Sequence, residues 1–493
     1  MGAMSFLLPP DVPPNMAGDF QSACLAGGFD HAPSPTEVHL DGKTLTLQRS
    51  LDESGFLITP WQIEGVGRLM TSSATLIERL RPYSMAVELA RGKVNQIRNH
   101  LADWAPLGIQ LPPAMQQELV DICRGFGQVM SEYPSDQADR KAQIVLSRSF
   151  KFVDAFSELF AQELFAIRHQ RIPRLETAFG CQLNRLPPAP DELVPAFNAL
   201  RLTFNWRLIE SNEAHYTWDE IDEALDWAEQ RNIPVVAGPL IDFSPSGLPD
   251  WINTWRGDLP NIANFMCDYV ETVIARYRRR VSHWYLASAC NIAGTLGLGE
   301  DDMLWLTARL AEAALQMAPE LDISFGVIQP WAEYMAREEH TYTPLVFLDT
   351  LLRTGLRMKA LNIEIVMGVA NRGSYCRDLL ELSHLLDSFA VLSAPLHVTM
   401  AAPSAEGPDP LAEPGLSVGF GSWQGGYTPE FQRDWAAKFA GVALSKPYVT
   451  GLFWAHLSDA APHRFPHCGL LDANDQPKPA LAALRQLRQT HLK

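Results

Sequence analysis

Four carboxylates stand where short apolar runs give way to polar sequence. Asp242 follows PVVAGPLI, Glu333 follows ISFGVIQPW, Glu364 lies inside ALNIEIVMG, and Asp459 closes GLFWAHLSD. Carboxyl groups brought to one cleft from different elements serve as general acid, general base or nucleophile. Near them along the chain are Asn205 and Trp206 at the end of ALRLTFNW, Asn291 after HWYLASAC, Trp331, Tyr375 with Arg377, Trp423, and Trp454 with His456. Aromatic faces beside hydrogen-bonding groups suit a glycan, whose rings present C–H patches edged with hydroxyls, and suit other polar small molecules too. Each residue also has a packing role open to it. Trp454 fits a core, and Asp242 and Asp459 fit the caps of helices that follow them. Glu364, set in an otherwise apolar strand, needs a partner, for which Arg201 is the nearest expectation, or else serves as an acid of raised pKa.

The elements that must position these residues read from Arg201 to Gly238 as one βαβ unit. ALRLTFNW is a strand, IDEALDWAEQR a helix, and IPVVAG a returning strand after a turn. Parallel strands joined through helices imply a sheet covered on both faces, a TIM barrel or a doubly wound sheet. Eight strand signals then follow Pro173: TAFGCQLN, ALRLTFNW, PVVAGPLI, HWYLASACN, ISFGVIQPW, ALNIEIVMG, LHVTMAAPS and GLFWAHLSD. Helical stretches such as DMLWLTARLAEAALQMA and RDLLELSHLLDSFAVL separate them. This predicts an α/β (β/α)8 barrel over 173–493, with functional groups on the loops after the strands.

Ahead of the barrel, EVHLDGKTLTLQRS carries an Asp-Gly between two alternating runs, a hairpin signal. Residues 1–85 therefore read as a small β-rich domain, either a β-sandwich capping its neighbour or a carbohydrate-binding-like module. Residues 86–172 read as a helical connecting region. SMAVELARGKVNQIRNHLADWA, MQQELVDICRGFGQVMSEY and SFKFVDAFSELFAQELFAIRHQRI all carry apolar residues at helical spacing. Arg91, Lys93, Arg98, Arg140 and Lys141 read as solvated helix faces. The region also offers a surface for a homo-oligomer.

Composition narrows the partners. A chain of 493 residues, 47% hydrophobic and 20% charged, has material for a large core, and a net charge of −17 without a basic tract argues against nucleic acid and anionic membrane. Seven widely spaced cysteines without a CxxC pair fit reduced thiols and a cytoplasmic location. The opening MGAM reads as an expression remnant, ahead of which an export signal would have been trimmed. No stretch approaches the roughly 20 apolar residues of a membrane span. GTLGLGEDD lacks the Lys-Ser/Thr of a phosphate loop, and no Gly-x-Ser-x-Gly elbow occurs, so no cofactor is expected. His456, His463 and His467 share one loop, but their spacing matches no helix-borne or strand-borne ligand motif, and no metal is assigned.

The barrel region resembles glycoside hydrolase family 10, the family of endo-β-1,4-xylanases, across most of 173–493. Trp206, Ile209 and Glu210 followed by YTWDEID resemble its second-strand segment, and Leu248, Pro249 and Trp251 its third. Trp454, Asp459, Leu470, Leu471, Asp472, Pro477, Lys478 and Pro479 resemble its closing segment. The family is one of retaining glycosidases, whose acid/base glutamate follows an asparagine in the fourth strand and whose nucleophile lies in the seventh. Here the Asn-Glu pair is Ser288-Ala289 and the nucleophile position is Met400. The third strand reads Gly238, Pro239, Leu240, Ile241, Asp242 in place of the family's sugar-binding His and Trp, and the sixth has Val366 and Gly368 in place of Gln and His. The resemblance with these departures implies a polysaccharide- or oligosaccharide-binding or scaffold protein without ordinary retaining hydrolysis. The alternative is a glycoside hydrolase that has moved its acids to Asp242, Glu333, Glu364 or Asp459.

Overall fold

The computed structural model describes residues 2–13, 15–28, 30–183 and 185–493. Asn184, which closes the first expected strand, and Met1 lie outside the described residues. All eight expected strands form: β1 Ala178–Leu183, β2 Leu200–Leu202, β3 Val235–Ala237 resuming at Ile241–Asp242, β4 His283–Ser288, β5 Asp322–Val327, β6 Ala360–Val366, β7 Leu396–Ala401 and β8 Val449–Trp454. Each pairs in parallel with the next, and β8 returns to β1 through Gly451↔Ala178 to Trp454↔Cys181, which closes a (β/α)8 barrel. The helices that cover it bury their apolar stripes against the strands, as Ile221, Leu225 and Ala228 do on Asp219–Gln230.

The interior of the barrel is more polar than an aliphatic core. Arg201, wholly buried on β2, donates from Nη1 to Thr399 Oγ1 at 2.7 Å and from Nη2 to Asn362 Oδ1 at 2.8 Å. Its guanidinium lies 4.1 Å from the Phe453 ring centre and 4.8 Å from that of Tyr285. Below it the His283 and His397 rings sit 4.9 Å apart. Glycines make room for these large groups: a Cβ at Gly326 would come within 2.0 Å of Tyr285 Oη, and one at Gly451 within 2.6 Å of the His397 ring.

The N-terminal region holds two sheets. Gly2–Leu7 lies inside the first, with Met4 and Phe6 wholly buried. The expected hairpin pairs Glu37–Asp41 with Thr44–Arg49, turning at Gly42 in the left-handed region. The second sheet gains an edge strand from the barrel, Ser422–Trp423, antiparallel to Gly67–Ser72. Three long helices follow: α1 Met85–Trp104, α2 Pro113–Glu132 and α3 Asp136–His169. Ser84 and Ser135 cap α1 and α3 by accepting from Val87 N and Ala138 N. Sheets and helices share one core, which also takes in Tyr375, Cys376, Leu380 and Tyr427 of the barrel region.

Lys93 overturns one expectation. It is no solvated helix face: it is 1% exposed and its Nζ lies 2.6 Å from Asp378 Oδ2, tying α1 to the barrel. All seven cysteines are free. No helix among the described residues is long and apolar enough to cross a membrane.

Burial, reinforced by the Arg201 charge, pulls His283 down to about 4. The unfolded chain then binds a proton at a pH where the folded one does not, so this residue's contribution is intact at neutral pH and is lost as pH falls from about 6.5 to about 4. We expect the urea midpoint to drop across that window, with a slope of up to about 1.4 kcal/mol per pH unit from this group. The slope should flatten in His283→Gln, and an unchanged slope would show that another group carries it.

Candidate functional site

Asp242 and Glu364 meet at the mouth of the barrel, brought there by the ends of β3 and β6. Arg464, on the loop after β8, lies between them. Its Nη1 is 3.1 Å from Glu364 Oε2 and 3.7 Å from Asp242 Oδ2. Because both oxygens approach the same nitrogen, they are no farther apart than these two distances laid end to end. That is within reach of the roughly 5–9.5 Å spanned by glycosidase carboxyl pairs. The three side chains are nearly enclosed, at 16% exposure for Arg464, 12% for Glu364 and 21% for Asp242.

Their environments push the two acids in opposite directions. Burial raises Glu364 above the usual carboxylate range, and Arg464 offsets this only in part. Asp242 feels burial too, but Arg464 and the Ser244 backbone N–H, which donates to its Oδ1 at 2.9 Å, outweigh it and leave the group lowered. Arg464 itself is raised, since the fields of Glu364 and Asp242 overcome its burial. Glu364 Oε1 and Arg464 Nε and Nη2 are buried without a hydrogen-bond partner. Glu413, held at 2.7 Å by Ser246 Oγ, and Arg372 extend the charged cluster.

Arg464 corrects the sequence reading of Glu364, whose ion-pair partner is this loop residue and not Arg201. Arg201 instead places Nη1 and Nη2 on the neutral acceptors Thr399 and Asn362, and its Nε is buried without a partner. Asp242 caps no helix; its carboxylate closes a turn to Ser244. Arg464, Arg372 and Glu413 were all missed, because each sits in a loop without periodicity. The available signal was the charge balance, which requires a cation near a carboxylate buried in a strand.

A second cluster lies to one side, where the N-terminal sheets and α1 close over the loops after β5 and β6. Glu333 and Arg377 form an ion pair there, with Glu333 Oε2 also accepting from Tyr375 N at 3.1 Å. The Arg377 guanidinium stacks 4.6 Å from the half-buried Trp331 ring. Beside them opens a cavity of about 310 Å³, lined by Trp331, Phe56, Gln96, Asn99, Asp103 and Glu381 among others.

Four of the other expected ligands are buried. Trp206 is wholly buried and donates to Glu210 Oε2 at 2.6 Å, and Trp454, 3% exposed, donates to the Cys468 carbonyl at 2.7 Å. Tyr375 is 2% exposed within the N-terminal core. Asn291 is spent on Ile328, accepting from its N–H at 3.0 Å and donating to its carbonyl at 3.1 Å. These four present no surface to a ligand. Trp423 lines a separate cavity of about 230 Å³ against α3. Asn205 is half-buried, with Oδ1 unpartnered. His456 and Asp459 pair with each other at 3.0 Å, and Asp459 binds Lys478 at 2.5 Å, so Asp459 is neither helix cap nor partner to the mouth acids.

Comparison with known proteins gives a consistent family signal. The model of glycosyl hydrolase family 10 matches residues 196–287, which include Trp206, Glu210 and Asp242 and stop one residue short of Ser288. Endo-1,4-beta-xylanase B of Humicola insolens is 29% identical over 79 residues, covering 16% of this chain and 22% of that protein. Endo-1,4-beta-xylanase 1 of Gibberella zeae is 26% identical over 91 residues, covering 18% and 25%. The chain thus spans a quarter or less of the length of these curated relatives. Among solved structures, xylanase 10B of Thermotoga petrophila in complex with xylobiose aligns at a TM-score of 0.47 and 15% identity over 67% of this chain and 96% of that one. Xylanase 10C of Cellvibrio japonicus in complex with xylopentaose aligns at 0.48 and 13% over 64% and 67%.

Removing Arg464 strands two carboxylates. Arg464→Met is expected to cost about 3 kcal/mol at pH 7, less as pH falls and Glu364 takes up a proton. Adding Glu364→Gln should recover much of the loss. Urea unfolding of wild type, both single variants and the double variant checks this, and purely additive losses would contradict the coupling.

Proposed function

The chain carries a divergent glycoside hydrolase family 10-like barrel, and from that premise we propose that it binds the end of an oligosaccharide without hydrolysing it. The observation that carries this reading is Arg464, set between Asp242 and Glu364 at the mouth. Retaining hydrolysis needs one carboxylate free to attack and another free to donate a proton, with the sugar's anomeric carbon between them. Here the intervening space holds a guanidinium bound to both acids. At the positions where the family's glutamates are expected, Ala289 and Met400 are buried, and neither side chain donates a proton or attacks as an anion.

The ligand's place is then the cavity beside Trp331. About 310 Å³ lies at the lower end of small-molecule sites and suits a chain end better than a long run of sugar units. The Trp331 face, its orientation fixed by Arg377 and Glu333, supplies the stacking surface, and Gln96, Asn99, Asp103 and Glu381 supply hydrogen bonds to hydroxyls. The relatives are named as xylanases, so xylo-oligosaccharides are the first ligands to try.

A second reading has one observation in its favour. Glu364 is raised while Asp242 is lowered, the arrangement of a general acid beside a base or nucleophile. On that reading Arg464 swings aside when substrate enters.

Calorimetry and product analysis with xylohexaose separate the two. We expect binding, a tenfold or greater loss of affinity in Trp331→Ala, and no new reducing ends over a day. Products that disappear in Asp242→Asn or Glu364→Gln would establish hydrolysis. Binding that Trp331→Ala leaves untouched would remove the ligand from this cavity.

A further inference from the structure

A cavity of about 230 Å³ opens where the helix Pro429–Ser445 of the barrel packs against α3 and the turn at Gly65. It shares no lining residue with the cavity beside Trp331. Sequence spacing makes its walls aromatic: Phe431, Trp435 and Phe439 recur every four residues and so lie along one face of that helix. Trp423 faces them from the edge strand that the barrel lends to the second sheet. Its ring centre is 5.3 Å from that of Phe431 and, with the planes at 87°, 6.1 Å from that of Phe439. Phe439 stacks on Trp435 at 4.4 Å.

The rings do not close up as a core would. Leu69, Phe150, Trp435 and Phe439 are each 3% exposed or less, yet the space between the walls stays open. Atoms around such a void forgo the dispersion contacts that a filled core supplies. Trp435 Nε1 is buried without a hydrogen-bond partner, although buried indoles usually find one. Apolar cavities of about 150 Å³ already admit a benzene-sized guest, so this one has room for a ring and a short arm.

The charged groups at its edge select the arm. Lys438 Nζ is spent on Asp154 at 2.5 Å and Glu158 at 2.7 Å. Asp378 is held by Lys93 at 2.6 Å, and Asp434 Oδ1 lies 2.7 Å from Arg433 Nε. Each carboxylate of the lining thus has its cation. Lys151 is different. It is exposed, and its ammonium makes no hydrogen bond or ion pair among the described residues. It rests against the turn, where a Cβ at Gly65 would come within 3.0 Å of Nζ.

We propose that this cavity binds a small aromatic carboxylate, its ring among Trp423, Phe431, Trp435 and Phe439 and its carboxylate on Lys151 Nζ. A flat ring gains from offset and edge-on contact with aromatic walls beyond the area it buries. A sugar fits such walls poorly, because its hydroxyls would lose water and meet almost no partner in return. An aromatic cation meets two lysines and no acid that is free. The volume, below the roughly 300 Å³ of drug-sized sites, limits the ligand to a single ring.

The test is calorimetry on the full chain with benzoate, phenylacetate and 3-phenylpropanoate, which set the carboxylate at three distances from the ring. At least one is expected to bind with a dissociation constant below about 1 mM, to raise the melting temperature, and to do both equally in wild type and Trp331→Ala. Lys151→Met, at an exposed position where the fold is not at stake, should weaken that acid about three- to tenfold and leave the matching amide unchanged. Trp423→Ala should abolish binding of acid and amide alike, with circular dichroism showing that the variant is folded. Failure of all three acids to bind at about 5 mM overturns the site, as does equal affinity of wild type for acid and amide. So does binding that is lost in Trp331→Ala or unchanged in both Lys151→Met and Trp423→Ala, and so does tighter binding of 2-phenylethylamine or xylose than of any acid.

Discussion

Buried charge along the barrel axis is the constraint to which the rest of the structure answers. Arg201, sealed at mid-barrel, has only neutral acceptors and ring faces within reach, and burial draws its pKa down to about 10, still cationic at neutral pH. Glu364 stands one layer above and contributes an opposing field; Arg464 stands above that, shared with Asp242. Positive and negative groups thus alternate toward the mouth, each lowering the cost of its neighbour. A buried ion pair of this kind contributes little net stability but makes the loss of any one member expensive.

The N-terminal sheets and helices are joined to the barrel by a shared core, by the Lys93–Asp378 pair and by a strand the barrel lends to the second sheet. Asp378 accepts from Leu380 N and Glu381 N at the start of the helix Leu379–Ala390 while holding Lys93, so one carboxylate fixes both the helix end and the packing of α1. Glu381 and Trp331 thereby line a cavity whose opposite wall comes from α1 and the second sheet.

The alternation of strands and helices was legible because hydrophobic periodicity is a local property, and all eight strands fall where β-branched and aromatic runs predicted them. The Asp41-Gly42 hairpin was legible for the same reason. Side-chain direction at the strand ends was not. Trp206 and Trp454 stand at the expected positions yet turn into the core, because their indole N–H groups find Glu210 and the Cys468 carbonyl there. Sequence alternation placed Glu364 and Arg201 inside the barrel correctly, but the layer each occupies depends on the stagger of the closed sheet, which a single strand does not encode. Arg464 lies 100 residues from Glu364 in a loop, and nothing local marks it as the partner.

The most direct measurement is a crystal structure of the protein grown with a β-1,4-linked oligosaccharide. A sugar ring against Trp331, with Arg464 still on both Asp242 and Glu364, is the expected result. A ring lodged in the barrel mouth, with Arg464 displaced from the two carboxylates, would contradict it.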